Sequence, residues 1–155
     1  MKVGNMEGDD SKMVINLINR ENIKDELFLG IIEIFNNASE KLFPEARVNV
    51  HYLTGYDSIE GPDGSRGFGC FYAPENSDSD SDIYIHGDIP GVVEDPAILV
   101  ETFAHEFYRF SQYCRGVEYS EEIAEDFACK VSRAPEIQEM IKIINFKKQL
   151  EKEKK

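Results

Sequence analysis

Residues 96 to 114, PAILVETFAHEFYRFSQYC, decide how the fold is organised. Apolar residues recur there at three- and four-residue spacing, which predicts an amphipathic helix that begins at Pro96 and ends near Gly116. Its apolar face carries Val100, Phe103, Phe107, Phe110 and Cys114. Its opposite face carries a polar stripe of Thr102, His105, Arg109 and Gln112, with Glu106 beside it. One face is therefore expected in the core, and the other holds side chains suited to chemistry.

The polar stripe is one residue away from a zinc-binding pattern. In H-E-x-x-H on a helix, two His residues one turn apart bind zinc, and the Glu acts as general base on the metal-bound water. His105 and Glu106 supply the first ligand and the base, but Arg109 occupies the position of the second His. A guanidinium stays protonated in proteins and offers no lone pair to a metal. Arg109 therefore decides whether a zinc site exists.

Further helices are expected after this one. Ser120 is a suitable N-cap for a helix that runs to about residue 132 or 133, with the acidic sequence SEEIAEDFA at its start. Pro135 opens a last helix, which has Ile137, Met140, Ile141 and Ile144 on one face. The sequence KKQLEKEKK, residues 147 to 155, is expected to fray as a charged tail.

The first half of the chain combines a helix with short strands. Helical spacing predicts a helix from about residue 13 to 43, which Pro44 ends. A polar break near residues 19 to 22 could divide this helix into two. Period-two patterns predict three strands, at about residues 47 to 54, 68 to 73 and 82 to 86. The Gly-rich residues 55 to 67 and the acidic residues 74 to 82 are predicted loops, and solvation of the second loop is favoured over loose calcium binding. The segregated helices and strands predict an α+β fold with a three-stranded sheet.

Length predicts one domain at residues 12 to 147, between a disordered segment at residues 1 to 11 and a charged tail at residues 148 to 155. The 30 acidic residues exceed the 17 basic ones, which gives a formal charge of −13. Such a charge disfavours nucleic acid and favours metal cations or basic peptides. Without an apolar span or a signal-peptide pattern, we expect a cytoplasmic protein that does not enter membranes. Cys70, Cys114 and Cys129 are widely spaced and are expected to be buried free thiols.

The site helix and the acidic helix after it resemble the small gluzincins, which are zinc metallopeptidases of the zincin fold. The resemblance covers about residues 82 to 131, and more weakly the N-terminal helix and strands. It implies a zinc cofactor, a peptide or protein substrate, and a following helix of the pattern E-x-x-[AS]-[DEN]-x-F that supplies a Glu ligand. On that pattern His105 is a ligand, Glu106 the general base and Glu121 the third ligand, with Glu125 as the acid in the outer shell. A shift of one residue would use Glu122 and Asp126 instead.

Three functional hypotheses remain open at this point. In the favoured one, Arg109 pairs with Glu106 and Glu121 in the space of the metal, and the protein is a weak or inactive metallopeptidase relative. In the second, an active peptidase recruits a substitute ligand, for which His86 is a better donor than His51 or Cys114. In the third, the acidic surface binds a basic partner without catalysis. The last helix either covers the cleft or completes the core.

Overall fold

The computed structural model describes residues 14–42, 46–55, 59–62, 64, 66–74, 80–89, 91 and 94–153. Within these residues there are four α-helices, which are α1 (Glu26–Leu42), α2 (Ala97–Arg115), α3 (Glu121–Ser132) and α4 (Pro135–Glu153). The strands are β1 (Ile15–Leu17), β2 (Val48–Leu53), β3 (Ile59–Glu60), β4 (Arg66–Gly67), β5 (Gly69–Tyr72) and β6 (Ser81–His86). Four helices beside a small mixed sheet confirm the α+β class.

The main sheet has four described strands, and not the three that the sequence predicts. Their order is β1-β2-β6-β5, in which β1, β2 and β6 are parallel and β5 runs antiparallel to β6. The strand predicted at residues 82 to 86 is β6, which lies inside the sheet between β2 and β5. The predicted loop at residues 55 to 67 contains the short antiparallel pair of β3 and β4.

The start of the described chain is a strand and not a helix. Ile15 and Leu17 are buried and Asn16 between them is exposed, which is the period of a strand. The Asn36 side chain of α1 accepts hydrogen bonds from the Val14 and Ile15 amides at 3.0 and 2.9 Å. The polar break predicted near residues 19 to 22 is a 3₁₀ turn, Arg20–Asn22. The predicted helix therefore begins only at Glu26, where Asp25 accepts a hydrogen bond from the Phe28 amide.

An aromatic cluster joins α1, α2 and the sheet. Phe103 of α2 is fully buried, and its ring centroid lies 5.1 Å from that of Phe35 and 6.0 Å from that of Phe28, both edge to face. Phe107 stacks against Phe103 at 5.7 Å. Phe71 of β5 packs against Phe110 on the next turn of α2, at 6.3 Å. The predicted apolar face of α2 is therefore in the core from Val100 to Phe110, and it holds the polar stripe in a fixed orientation.

The helix ends follow their local signals. Gly116 terminates α2 in a left-handed conformation with φ 68°, and the Ser120 hydroxyl caps α3 by accepting from the Ile123 amide at 3.3 Å. Pro135 opens α4 as predicted. However, α4 continues to Glu153, so the charged residues 148 to 153 are helical and not frayed. The core positions Ile137, Ile141 and Ile144 of α4 are buried, which supports its role in completing the core.

Two expectations fall on residues outside the described ranges. These are disorder at residues 1 to 11 and the central part of the acidic loop, residues 75 to 79. Within the described residues, every helix is too short or too polar to cross a membrane.

Candidate functional site

An open groove of about 400 Å³ lies where the polypeptide of β4 and β5 passes over the polar stripe of α2. It is lined by Gly67, Phe68, Gly69, Glu101, Thr102, His105, Glu106, Glu125 and Ala128. A Cβ atom on Gly69 would lie 3.1 Å from both Glu106 Cγ and Thr102 Cγ2, closer than ordinary contact. The absence of a side chain at Gly69 therefore lets the β5 backbone rest directly on α2.

The polar stripe is turned into the protein and is not a wet helix face. The side chain of Glu106 is only 8% exposed, that of His105 20% and that of Arg109 33%. Gln112 is buried, and its amide nitrogen donates to the Glu118 carbonyl at 3.3 Å. The packing of β5 and of the connection to α3 over this face encloses groups that helical periodicity alone would leave in solvent.

His105 lies between two carboxylates. Its Nε2 is 2.7 Å from Glu121 Oε1, and its Nδ1 is 3.3 Å from Glu106 Oε2. Hydrogen bonding to Glu106, and then to Glu121, raises the pKa of His105 although burial opposes the charged form. The longer contact has the larger effect because Glu106 is buried, whereas the Glu121 side chain is 60% exposed and more strongly screened by water. A carboxylate at each ring nitrogen favours the protonated form of His105, in which both nitrogens donate.

Tyr119 belongs to this cluster, and sequence analysis missed it. Its hydroxyl donates a short hydrogen bond to Glu121 Oε2 and lies 3.3 Å from His105 Nε2. Burial and the bond to Glu121 raise the pKa of Tyr119, while the bond from Tyr119 is the main cause of the lowered pKa of Glu121. In the sequence, Tyr119 is marked only as an aromatic residue just before the N-cap of α3, a pattern with little specificity for a functional site.

Arg109 closes the other side of the cluster. Its Nη1 is 3.6 Å from Glu106 Oε1, which is an ion-pair distance but too long for a hydrogen bond. Glu106 Oε1 accordingly has no hydrogen-bond partner although it is buried. The guanidinium Cζ lies 4.5 Å above the Tyr119 ring centroid, a cation–π contact. Arg109 is therefore held against the cluster from two sides.

The sequence allows two registers for the acidic residues of α3, one with Glu121 and Glu125 at the site and one with Glu122 and Asp126. Glu121 lies beside His105, as expected for the favoured register, whereas Glu122 is exposed. Glu125 lines the groove. Asp126 is on the outer surface, where it pairs with Lys130 at 2.9 Å. Of the acids in this helix, Glu125 thus lines the groove and Glu121 contacts His105.

The three candidate substitute ligands lie elsewhere. Side chains of β6 alternate between the two faces of the sheet. Ile85 approaches Gly69 on the face toward α2, whereas His86 alternates with it and shares the other face with Asp82 and Tyr84. It is buried, and its Nδ1 accepts from the Asp88 amide at 3.0 Å. His51 stacks on Tyr84 at 4.2 Å and contacts Asp82 Oδ1 at 2.9 Å, away from the groove. The structure does not bring these histidines to His105.

The cysteines partly differ from expectation. Cys70 is buried, and burial raises its pKa to about 11, so it is a poor thiolate. Cys114 is exposed, although helical spacing predicts it on the core face of α2, and Cys129 is half-buried. All three cysteines are free.

The donor set around His105 does not match a zinc site. Catalytic zinc sites use three protein ligands, and here two donors, His105 and Glu121, are hydrogen-bonded to each other. The side chain at the third position, Arg109, has no lone pair. Across the described ranges, no three His, Cys, Asp or Glu side chains converge in a way that could hold a metal ion.

The charge state of His105 gives a testable pH dependence. We expect NMR titration to place its pKa above 6.5, and we expect Glu106→Gln to lower that pKa more than Glu121→Gln, because the buried carboxylate is less screened. Since the folded-state pKa is raised, the associated stability is present below about pH 6.5 and is lost as pH rises through the folded-state value. The free energy of unfolding should therefore fall over that window, and His105→Gln should flatten the fall. A His105 pKa at or below 6.5 would contradict the described network.

Comparison of the chain with protein-family models, with curated proteins and with solved structures gives no match.

Proposed function

We propose that this chain is a zincin-like relative of metallopeptidases in which an internal ion-pair network takes the place of the metal, so that it does not hydrolyse peptides efficiently. The position of Arg109 carries the proposal. Its guanidinium lies 3.6 Å from the carboxylate that would act as general base, and 4.5 Å from the ring of Tyr119. A cation therefore already stands at the turn of α2 from which a second imidazole would project.

The balance of charges supports this proposal. The cluster contains two carboxylates, Glu106 and Glu121, the Arg109 guanidinium, and the His105 ring, whose pKa these carboxylates raise. A buried carboxylate without a compensating charge is strongly destabilising, and here Glu106 is compensated by side chains of the chain itself. Both carboxylates therefore have partners among the side chains of the chain without a bound cation.

The engagement of Glu106 also argues against base catalysis. A general base must have a free lone pair within hydrogen-bonding reach of the proton that it removes. One oxygen of Glu106 contacts the His105 ring, and the other is buried and faces Arg109. Both oxygens of Glu106 are therefore directed at side chains of the chain itself, and a water molecule would have to compete with Arg109 for Oε1.

An active enzyme with a substitute ligand is the competing hypothesis. It requires a third donor near His105 Nε2. His51 contacts Asp82, and His86 accepts from the Asp88 amide and packs against Phe68. Cys114 lies in the last turn of α2, more than two turns beyond His105. The described side chains give this hypothesis less support.

Metal content and proteolysis test the proposal directly. For protein purified without chelators and dialysed against micromolar zinc, we expect far less than one zinc per chain by elemental mass spectrometry. Its cleavage of unfolded casein should equal that of Glu106→Gln, which removes the possible base with little change in shape. One tightly held zinc per chain, together with casein cleavage that Glu106→Gln abolishes, would establish the active enzyme instead.

A further inference from the structure

A cavity lies on the other flank of α2, away from the His105 groove. Its volume is about 750 Å³, within the range of pockets that hold small molecules. It lies between the C-terminal half of α1, the second half of α2, α3 and the start of α4. The cavity is partly open to solvent, so a ligand can enter it from the surface between these helices.

The walls of this cavity are apolar. Phe35 and Ile137 are buried, and Ile34, Tyr108, Phe127 and Val131 are partly exposed along it. The rings of Phe127 and Tyr108 pack against each other in a tilted arrangement, with centroids 4.9 Å apart, and they form the wall of the cavity toward α3. Water gains few hydrogen bonds in such a space, which therefore favours an apolar ligand.

The polar side chains at the cavity include Ser39, whose hydroxyl donates to the Phe35 carbonyl, Glu136, and two residues of α2. Ser111 and Arg115 are four residues apart, so they project from the same helix face, and both line the cavity. Within the part of the chain that the structure describes, no carboxylate pairs with Arg115, whose guanidinium approaches the Tyr108 ring centroid at 5.7 Å. A guanidinium beside a hydroxyl is a suitable binding group for a carboxylate.

We propose that this cavity binds a free amphipathic carboxylate, such as a fatty acid. Its hydrocarbon chain would lie against Phe35, Phe127 and Ile137, and its carboxylate would accept hydrogen bonds from Arg115 and Ser111. Glu136 also lines the cavity, but it is exposed in the first turn of α4, where the helix dipole favours a negative charge. The proposal concerns a site separate from the His105 groove and does not depend on the function proposed for that groove.

Titration with dodecanoate below its micelle concentration, followed by calorimetry, tests the proposal on the full chain. We expect a Kd of roughly 100 μM or tighter. Arg115→Gln should weaken dodecanoate binding about tenfold and leave binding of the neutral analogue dodecanol unchanged. Arg133→Gln, which changes an exposed arginine outside the cavity, is the matched control and should affect neither ligand.

A second variant locates the ligand. Ala38 is exposed on α1 and lines the cavity, so Ala38→Trp should obstruct the cavity at little cost in stability and weaken both ligands. Independently, dodecanoate should shift the NMR methyl signals of Val131 and Ile137 in the unaltered chain. Absence of dodecanoate binding, equal losses for dodecanoate and dodecanol on Arg115→Gln, or unshifted methyl signals would each overturn the proposal.

Discussion

The variant Arg109→His is expected to bind one zinc ion per chain, whereas the unaltered protein is not. The substitution places an imidazole one turn after His105 on the same face of α2, where the present side chain already reaches Glu106 and Tyr119. Together with His105 and Glu121 this gives three donors, the number that catalytic zinc sites use. We expect a binding free energy on the order of 10 kcal/mol, which is a Kd of roughly 10 to 100 nM.

A small rearrangement should be enough to form that site. Donor atoms of tetrahedral zinc are about 3.3 Å apart, given bonds of roughly 2.0 to 2.1 Å. His105 Nε2 and Glu121 Oε1 are now 2.7 Å apart, so Glu121 has to withdraw by roughly half an ångström. Because its side chain is 60% exposed, this movement meets little packing resistance.

The matched control for this variant is Arg109→Gln, which removes the same charge without adding an imidazole. Zinc should raise the melting temperature of Arg109→His, in proportion to its binding, and leave that of Arg109→Gln unchanged. Calorimetric titration and elemental analysis measure the stoichiometry. If both variants bind zinc equally weakly, the turn of α2 does not face Glu121 as described, and the zincin-like interpretation of the site fails.

The variant Phe103→Ala should lose about 3–5 kcal/mol of the free energy of unfolding. Phe103 is fully buried, and its ring is in contact with Phe28, Phe35 and Phe107, which connect α1 to the site helix. Removal of the ring forfeits its transfer free energy and leaves a cavity that fixed aromatic neighbours cannot fill. Urea unfolding followed by circular dichroism measures the loss, which is a large part of the stability of a typical domain.

The surface residue Phe146 provides the control for this prediction. It is 64% exposed on α4, so Phe146→Ala removes an identical ring from a position with little packing. Its effect should stay within about 0.5 kcal/mol. Similar losses for the two variants would show that the cluster around Phe103 is not the tightly packed centre of the fold.

Structural features that depend on contacts within a few residues were predictable from the sequence. Gly116 and Ser120 fix the ends of α2 and α3 through contacts inside one turn, and the structure has both caps. Pairing between distant strands was not predictable in this way. Residues 14 to 17 contain three apolar residues that suit a helix as well as a strand, and the choice was made by β2 and by Asn36, which lie far along the chain.

The candidate site shows the same division. Helical spacing places His105, Glu106 and Arg109 together, and the pattern of the next helix favours Glu121 over Glu122. The burial of Glu106 and Gln112 depends on where β5 and the α2–α3 connection come to rest, and no local signal encodes this. The face of the sheet on which His86 lies depends on its place in β6, an internal strand. Its suitability as a ligand could therefore not be judged from the sequence alone.

The strand register has a kinetic consequence. Asn16 and Asn49, which face each other across β1 and β2, are 33 positions apart in the chain. Such pairings form late, because the entropy of closing a long loop is lost before the new contacts compensate for it. The antiparallel β5–β6 pair and the α2–α3 pair, by contrast, join segments that are near neighbours in the chain. The His105 groove also depends on a long-range contact, because Gly69 of β5 rests on Thr102 and Glu106 of α2, which lie 33 and 37 positions further along the chain. The groove is therefore complete only after the β5–β6 pair has docked on the α2–α3 pair, a step that closes as long a loop as the pairing of β1 with β2.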